Sequence, residues 1–88
     1  MIWKVSWKES ARKELRKLDK KAQQEILKYL RERIAVDKDP KRFGKALKSN
    51  WQGLWRYRIG NYRLICQIKA EHFTALVVVV GHRKDVYD

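Results

Sequence analysis

Arg56, Arg58 and Arg63 alternate with aromatic and aliphatic residues around a two-residue Gly60-Asn61 break, a spacing that gathers three guanidinium groups onto one surface. The run Trp55-Arg56-Tyr57-Arg58-Ile59 leads into the break, and Tyr62-Arg63-Leu64-Ile65-Cys66-Gln67-Ile68 leads out of it. Two apolar-aromatic runs around such a loop predict a tight β-hairpin. Ile59 then faces Tyr62, Arg58 faces Arg63, Tyr57 faces Leu64, Arg56 faces Ile65 and Trp55 faces Cys66. Side chains alternate between the faces of a strand, so Trp55, Tyr57, Ile59, Tyr62, Leu64 and Cys66 make a core face. The three arginines share the other. Like charges directly opposite destabilise a sheet by a few tenths to about 1 kcal/mol per pair. Phosphate oxygens between them offset that cost, because guanidinium forms forked, charge-assisted bonds to phosphate. The chemistry in view is metal-free work on a phosphate. Preorganised arginines meet the transition-state charge, and a phenol or imidazole moves protons. Arginines splayed into water on a solvated sheet face are the bland alternative.

The hairpin sits in a longer cationic stretch. Between Pro40 and Ala70 there are Lys41, Arg42, Lys45, Lys48, Arg56, Arg58, Arg63 and Lys69 and no carboxylate, with Asp39 and Glu71 on either side. They supply two thirds of the formal +12 carried by all 88 residues. Self-repulsion works against compactness, so an anionic partner is the natural beneficiary: nucleic acid, an acidic protein or an anionic membrane surface. Lys45 and Lys48 read as positioning contacts to RNA backbone. Trp51 reads either as a platform for a base, worth about 1–3 kcal/mol, or as a cap on the core beside Phe43 and Leu47. The basic outward helix residues, such as Arg12, Lys13, Arg16 and Lys17, solubilise the domain and also attract RNA.

Other chemistries find little support. His72 and His82 are the only histidines, and Cys66 falls on the core face of a strand. With no carboxylate in the basic region, a divalent metal site lacks ligands. No Gly-rich phosphate loop or Ser-His-Asp set is present, and no cofactor is expected. A lone inward cysteine cannot form an internal disulfide and fits a cytoplasmic protein. No signal peptide is visible, and the apolar run Ala75 to Val80 is far too short to span a membrane.

The elements that hold the hairpin follow from periodicity. Residues 1–88 read as one domain whose core is thin and rich in aromatics. Trp3, Val5 and Trp7 alternate with Lys4 and Ser6 as a half-buried strand. From Glu9 the period becomes helical, with Ala11, Leu15 and Leu18 inward. Asp19 is an N-cap for a second helix with Ala22, Ile26, Leu27, Leu30 and Ile34 on one face. The short link between the helices predicts an αα-hairpin. Asp39-Pro40 stops the second helix, and a loop runs from Pro40 to about Gly53. After the hairpin and a turn at Lys69-His72, the apolar run from Phe73 to Val80 predicts a central strand covered on both faces. Gly81 ends it, leaving His82 to Asp88 as a tail. The fold class is α+β: β-α-α-β-β-β, an antiparallel sheet with an αα-hairpin on one face and the arginines on the other.

That order resembles the RelE/ParE toxin superfamily, most closely its RelE branch. The likeness is carried by Gly53-Leu54-Trp55-Arg56-Tyr57-Arg58-Ile59-Gly60-Asn61-Tyr62-Arg63-Leu64 and by the ending Gly81-His82-Arg83-Lys84-Asp85-Val86-Tyr87. The resemblance implies a toxin of a type II toxin–antitoxin pair that cuts mRNA in the decoding site of the ribosome. In that family the 2′-hydroxyl attacks the adjacent phosphate without metal, and a cognate antitoxin neutralises the toxin. By position, Arg63 is similar to the arginine that stabilises charge on the scissile phosphate. Arg83 is similar to the arginine near the leaving 5′-oxygen, assigned as general acid, and Tyr87 to the tyrosine assigned as general base. Arg56 and Arg58 stand where the best-known members have two lysines. Arginine keeps the field but cannot shuttle a proton. His82 is an auxiliary candidate, since other branches use a histidine near this place.

Each assignment has a plainer counterpart: Tyr87 as a frayed terminus, Arg83 as a surface partner of Asp85, and His82 as a turn residue. The expected partners are the ribosome with its mRNA and an antitoxin segment, acidic and apolar, that folds on binding. DNA is reached only through the antitoxin, and no membrane is involved. The alternatives are a ParE-like inhibitor of DNA gyrase without nuclease activity, and a non-catalytic RNA-binding module.

Overall fold

A computed structural model describes residues 1–82. The arginines at 56, 58 and 63 and the histidines are included, whereas Arg83 and Tyr87 lie outside the described residues.

Strand β1 (Lys4–Trp7) leads into helices α1 (Glu9–Arg16) and α2 (Lys20–Tyr29). Ala11 and Leu15 of α1, with Ala22 and Ile26 of α2, form the buried stripes that the spacing predicts. Asp19 caps α2, its Oδ1 accepting from the Ala22 N–H at 2.7 Å. This satisfies one of the donors that a helix start leaves open. Leu27 departs from the expected face and is 43% exposed. A wide π-helical turn over Leu30–Ile34, closed by the Ala35 N–H to the Leu30 carbonyl at 2.8 Å, keeps Leu30 and Ile34 buried instead.

The expected loop from Pro40 to Gly53 is more ordered than its composition implies. Asp39 caps a 3₁₀ turn over Pro40–Phe43. A two-residue strand β2 (Lys45–Ala46) and a second 3₁₀ turn over Ser49–Trp51 follow. The anchor is Tyr57, which is 1% exposed and donates its hydroxyl to the Pro40 carbonyl at 2.8 Å. Gly44 lies against that ring, and a Cβ there would stand 2.9 Å from Tyr57 Cζ. Residue 44 therefore has room only for hydrogen where the chain crosses the phenol.

Strands β3 (Leu54–Ile59) and β4 (Tyr62–Lys69) form the predicted hairpin in the predicted register. Ile59 pairs with Tyr62, Arg58 with Arg63, Tyr57 with Leu64, Arg56 with Ile65 and Trp55 with Cys66. Gly60 takes a φ of 59° at the turn, where a side chain would be strained. Strand β5 (Thr74–His82) runs two residues past the expected stop, because Tyr62 and Arg63 supply partners to His82 and Gly81.

The five strands lie in the order β1-β5-β4-β3-β2. All neighbours are antiparallel except β1 and β5, which pair in parallel, so the sheet is mixed rather than antiparallel as expected. The αα-hairpin carries the chain across one face to the far edge. The meander β2-β3-β4-β5 then returns beside β1 in β1's own direction. β1 runs out at Trp7, opposite Val77, and the Val80 N–H of β5 is taken instead by Glu14 Oε1 of α1 at 2.9 Å.

The main core lies between the helices and the sheet and includes Leu15, Ile26, Ile34, Tyr57, Leu64, Cys66 and Val77. The register of β4 on β5 slips between Ile65, opposite Val79, and Cys66, opposite Val77. Val78 is the extra residue of this bulge. Its insertion reverses the alternation of faces. Ala75 and Val77 point into the core before it, and Val80 does so after it. Val78 and Val79 join a second cluster on the opposite face. The apolar run is explained by this change of face, not by uniform cover on both sides.

Candidate nucleic-acid interface

The hairpin register places Arg58 directly across from Arg63, and Arg56 two residues before Arg58 on the same face. Lys45 of β2 pairs with Arg56, so a fourth cation joins this face at the sheet edge. Both helices pack on the other side of these strands, against Tyr57, Ile59 and Leu64.

The arginines are not equivalent. Arg63 is 3% exposed and Arg56 is 7% exposed, whereas Arg58 is open to solvent. Burial, with the nearby Arg58 charge, pushes the Arg56 pKa below its ordinary value. The guanidinium remains a cation at neutral pH regardless. The alternative of arginines splayed into water therefore fails for two of the three. A buried guanidinium is held in place, which suits a preorganised electrostatic role.

Half of this face is apolar. Leu47 and Ile65 are buried there, with Trp51, Leu54, Val78 and Val79 packed against them. Trp51 is a partly buried member of this cluster. It caps the second cluster with Leu47 but not with Phe43, which is 42% exposed elsewhere. Lys48 is exposed just before the Ser49–Trp51 turn, and Lys45 is exposed on β2.

His82 is separated from the arginines. It pairs with Tyr62, and the two rings meet edge-on at 5.7 Å between centroids. Tyr62 packs on the main core, so His82 lies on the helix side of the sheet, opposite Arg63. The Val78 bulge causes this. Uninterrupted alternation from Val77 would put His82 on the arginine face. Sequence reasoning also missed the apolar half of the interface and a cluster of Arg33 and Arg42 around Phe43. The spacing of Tyr29 to Arg33, four apart on a helix, was the available signal.

The arrangement can bind and polarise a phosphate. It offers fixed positive charge but, in Arg56, Arg58 and Arg63, no group that exchanges protons near neutral pH. Among the described residues, no cluster of three His, Cys, Asp or Glu side chains could hold a metal ion. Cys66 takes no part: it is buried in the main core, and burial pushes its thiol up to about 12.

Known proteins share this fold. Residues 5–87 match the family described as ParE toxin of type II toxin–antitoxin system, parDE. Toxin RelG of Mycobacterium tuberculosis (strain ATCC 25618 / H37Rv) is 31% identical over 87 residues, spanning 99% of this chain and 98% of that one. The crystal structure of the toxin–antitoxin complex RelBE2 from Mycobacterium tuberculosis contains a similar chain. The TM-score is 0.86 at 29% identity, over 94% of this chain and 100% of that one. The isolated E. coli RelE toxin shares the fold, with a TM-score of 0.71 at 23% identity over 91% and 83% of the two chains.

Proposed function

The chain belongs to the RelE/ParE superfamily, as a toxin of the type II toxin–antitoxin class, and from that premise we propose that it is a ribosome-dependent, metal-independent endoribonuclease. The observation that carries this reading is the face on which Arg56, Arg58 and Arg63 converge, two of them buried and held. Such a face neutralises the charge that builds on a phosphate when the neighbouring 2′-hydroxyl attacks it. Arg63 and Arg56 hold the scissile phosphate, and Arg58 with Lys45 and Lys48 positions the flanking backbone. Arg83 stabilises the leaving 5′-oxygen, which takes its proton from water as its bond to phosphorus breaks, and Tyr87 takes the proton of the 2′-hydroxyl. The protein acts in the cytoplasm on mRNA seated in the ribosomal decoding site and so halts translation. Among the described residues no helix is long and apolar enough to cross a membrane.

A cognate antitoxin is the second partner. The interface is cationic at Arg58 and apolar at Leu47, Trp51, Leu54 and Val79. An acidic segment with apolar side chains that folds as it binds fits both halves. DNA is engaged only through that antitoxin.

The test is single-turnover cleavage of ribosome-bound mRNA, with free mRNA and gyrase supercoiling run in parallel. Cutting confined to ribosome-bound mRNA supports the nuclease. The match to the ParE toxin family favours one other reading, a gyrase inhibitor that cuts no RNA. Loss of supercoiling with intact mRNA would establish it.

A further inference from the structure

Away from the arginine face, three cations lie on aromatic rings near the β2 edge. Arg33 Cζ is 5.4 Å from the centre of the Tyr29 ring and 5.2 Å from that of Phe43. Arg42 Cζ is 4.4 Å from the Phe43 centre, and Lys41 Nζ is 5.7 Å from the Trp55 ring. Arg33, Arg42, Lys41 and Phe43 are all exposed. Local structure fixes them. The π-helical turn carries Arg33 one turn past Tyr29, and the Asp39 cap with the Tyr57–Pro40 bond holds the 3₁₀ turn that presents Arg42 and Phe43. Arg42 Nη1 also donates to the Asp39 carbonyl at 3.1 Å. Among the described residues the one ion pair is between the Met1 amino group and Asp37, so none of these three cations is neutralised by a carboxylate.

We propose that Arg33, Arg42 and Phe43 form a second RNA-binding surface, continuous around the β2 edge with the arginine face, that takes the sugar-phosphate backbone of a longer single strand. The inference rests on the RNA reading given above. A guanidinium stacked on a ring keeps its N–H edges turned away from that ring, so Arg33 can fork around a phosphate and Arg42 can offer it the N–H groups not given to the Asp39 carbonyl. The cation–π contact, worth about 0.5–1 kcal/mol at an exposed site, holds the side chain and reduces the ordering cost of binding. The path is continuous in the chain. Phe43 and Gly44 lead directly to Lys45, which pairs with Arg56. A strand leaving the arginine face over Lys45 meets Arg42 and Arg33 next.

An acidic antitoxin segment is the competing occupant, and the surface suits it poorly. A segment that folds on binding offsets its lost entropy by burying apolar area. Here the exposed apolar group is one half-open ring flanked by two guanidinium groups.

The experiment measures affinity against salt for single-stranded RNA of about 16 and about 4 nucleotides, lengths bracketing a small binding site. The Arg33→Gln/Arg42→Gln double variant should reduce the salt slope on the longer RNA by about 1.4, at about 0.7 for each phosphate no longer neutralised. It should leave the shorter RNA unaffected. Phe43→Ala keeps both charges and should weaken the longer RNA while preserving most of the slope. Arg58→Gln, on the arginine face, should weaken both lengths. If Arg58→Gln weakens binding but the double variant leaves the longer RNA unchanged, the second surface is refuted and the arginine face stands. Equal loss on both lengths, or loss of antitoxin binding with RNA untouched, also overturns it. A wild-type protein without salt-dependent RNA affinity removes the RNA reading and this surface together.

Discussion

His82 meets Tyr62 edge-on at 5.7 Å and 74° on the helix side of the sheet, while Arg63, the next residue after Tyr62, faces the other way. An imidazole there cannot reach the scissile phosphate proposed to sit on Arg56 and Arg63 without crossing the sheet. His82→Ala should therefore cut ribosome-bound mRNA at the wild-type single-turnover rate. Its cost should appear in stability, at about 0.5–1.5 kcal/mol for losing an aromatic pair. A slowed chemical step with unchanged stability would return His82 to the catalytic set.

The hairpin was legible because its information is local. Gly60-Asn61 fixes the loop, and alternation from Trp55 to Cys66 fixes the faces, so each predicted pair from Ile59–Tyr62 to Trp55–Cys66 stands. The position of His82 was not legible. It depends on Val78, one of four consecutive valines, any of which could bulge as far as the pattern reveals. Which one does is settled across the sheet, where Ile65 meets Val79 and Cys66 meets Val77. The parallel pairing of β1 with β5 is likewise a long-range outcome, since β1 reads the same whichever way its neighbour runs. Asp19 could be read as a cap because a cap acts three residues away. The burial of Arg56 and Arg63 could not, because charge and alternation fix a face without fixing its depth.

That depth separates the arginines in mutants. Arg58 is exposed and opposes Arg63, so Arg58→Ala removes a like-charge pair from the sheet. Folding stability should stay level or rise by a few tenths to about 1 kcal/mol. RNA affinity should fall, with the salt slope reduced by about 0.7. Arg63→Ala empties a buried position and should destabilise the fold by about 1–3 kcal/mol. Urea unfolding of both variants checks this. Equal losses of stability would mean that Arg58 is structural and that its charge was not kept for a ligand.

Cys66 sets a pH dependence. Its thiol titrates at about 12 in the folded chain, because burial penalises the thiolate. In the unfolded chain a thiol titrates near 8.5. The folded state holds the proton more tightly, so stability is full below about pH 8.5 and falls as pH rises towards 12. Tyr57 adds a decline of the same sign from about pH 10, since burial also raises its phenol. Cys66→Ala should be less stable at pH 7 through its small cavity, yet lose less stability than wild type between about pH 8.5 and 10. Parallel declines in urea midpoints across that range would rule the thiol out as the cause.

In the proposed cleavage, proton abstraction has no owner among the described groups of the interface. Arg56, Arg58 and Arg63 stay protonated, and His82 stands on the opposite face. Tyr87 is the proposed base for the 2′-hydroxyl. A phenol has a reference pKa near 10 and is a poor base at neutral pH unless cations favour its phenolate. The guanidinium groups of the face would supply such a field to a phenol brought against them. Tyr87→Phe should leave ribosome binding almost intact and slow cleavage by about 10²–10⁴-fold, the usual cost of losing a general base. Arg83→Ala should also slow cleavage, through lost charge stabilisation at the 5′-oxygen rather than a lost proton, because guanidinium scarcely gives one up. The pH–rate profile distinguishes these roles. Tyr87→Phe should abolish the rise of the rate with pH that phenolate formation produces, and Arg83→Ala should preserve that rise at a lower rate. Cleavage by Tyr87→Phe at the wild-type rate would remove tyrosine from the mechanism and leave solvent as the base.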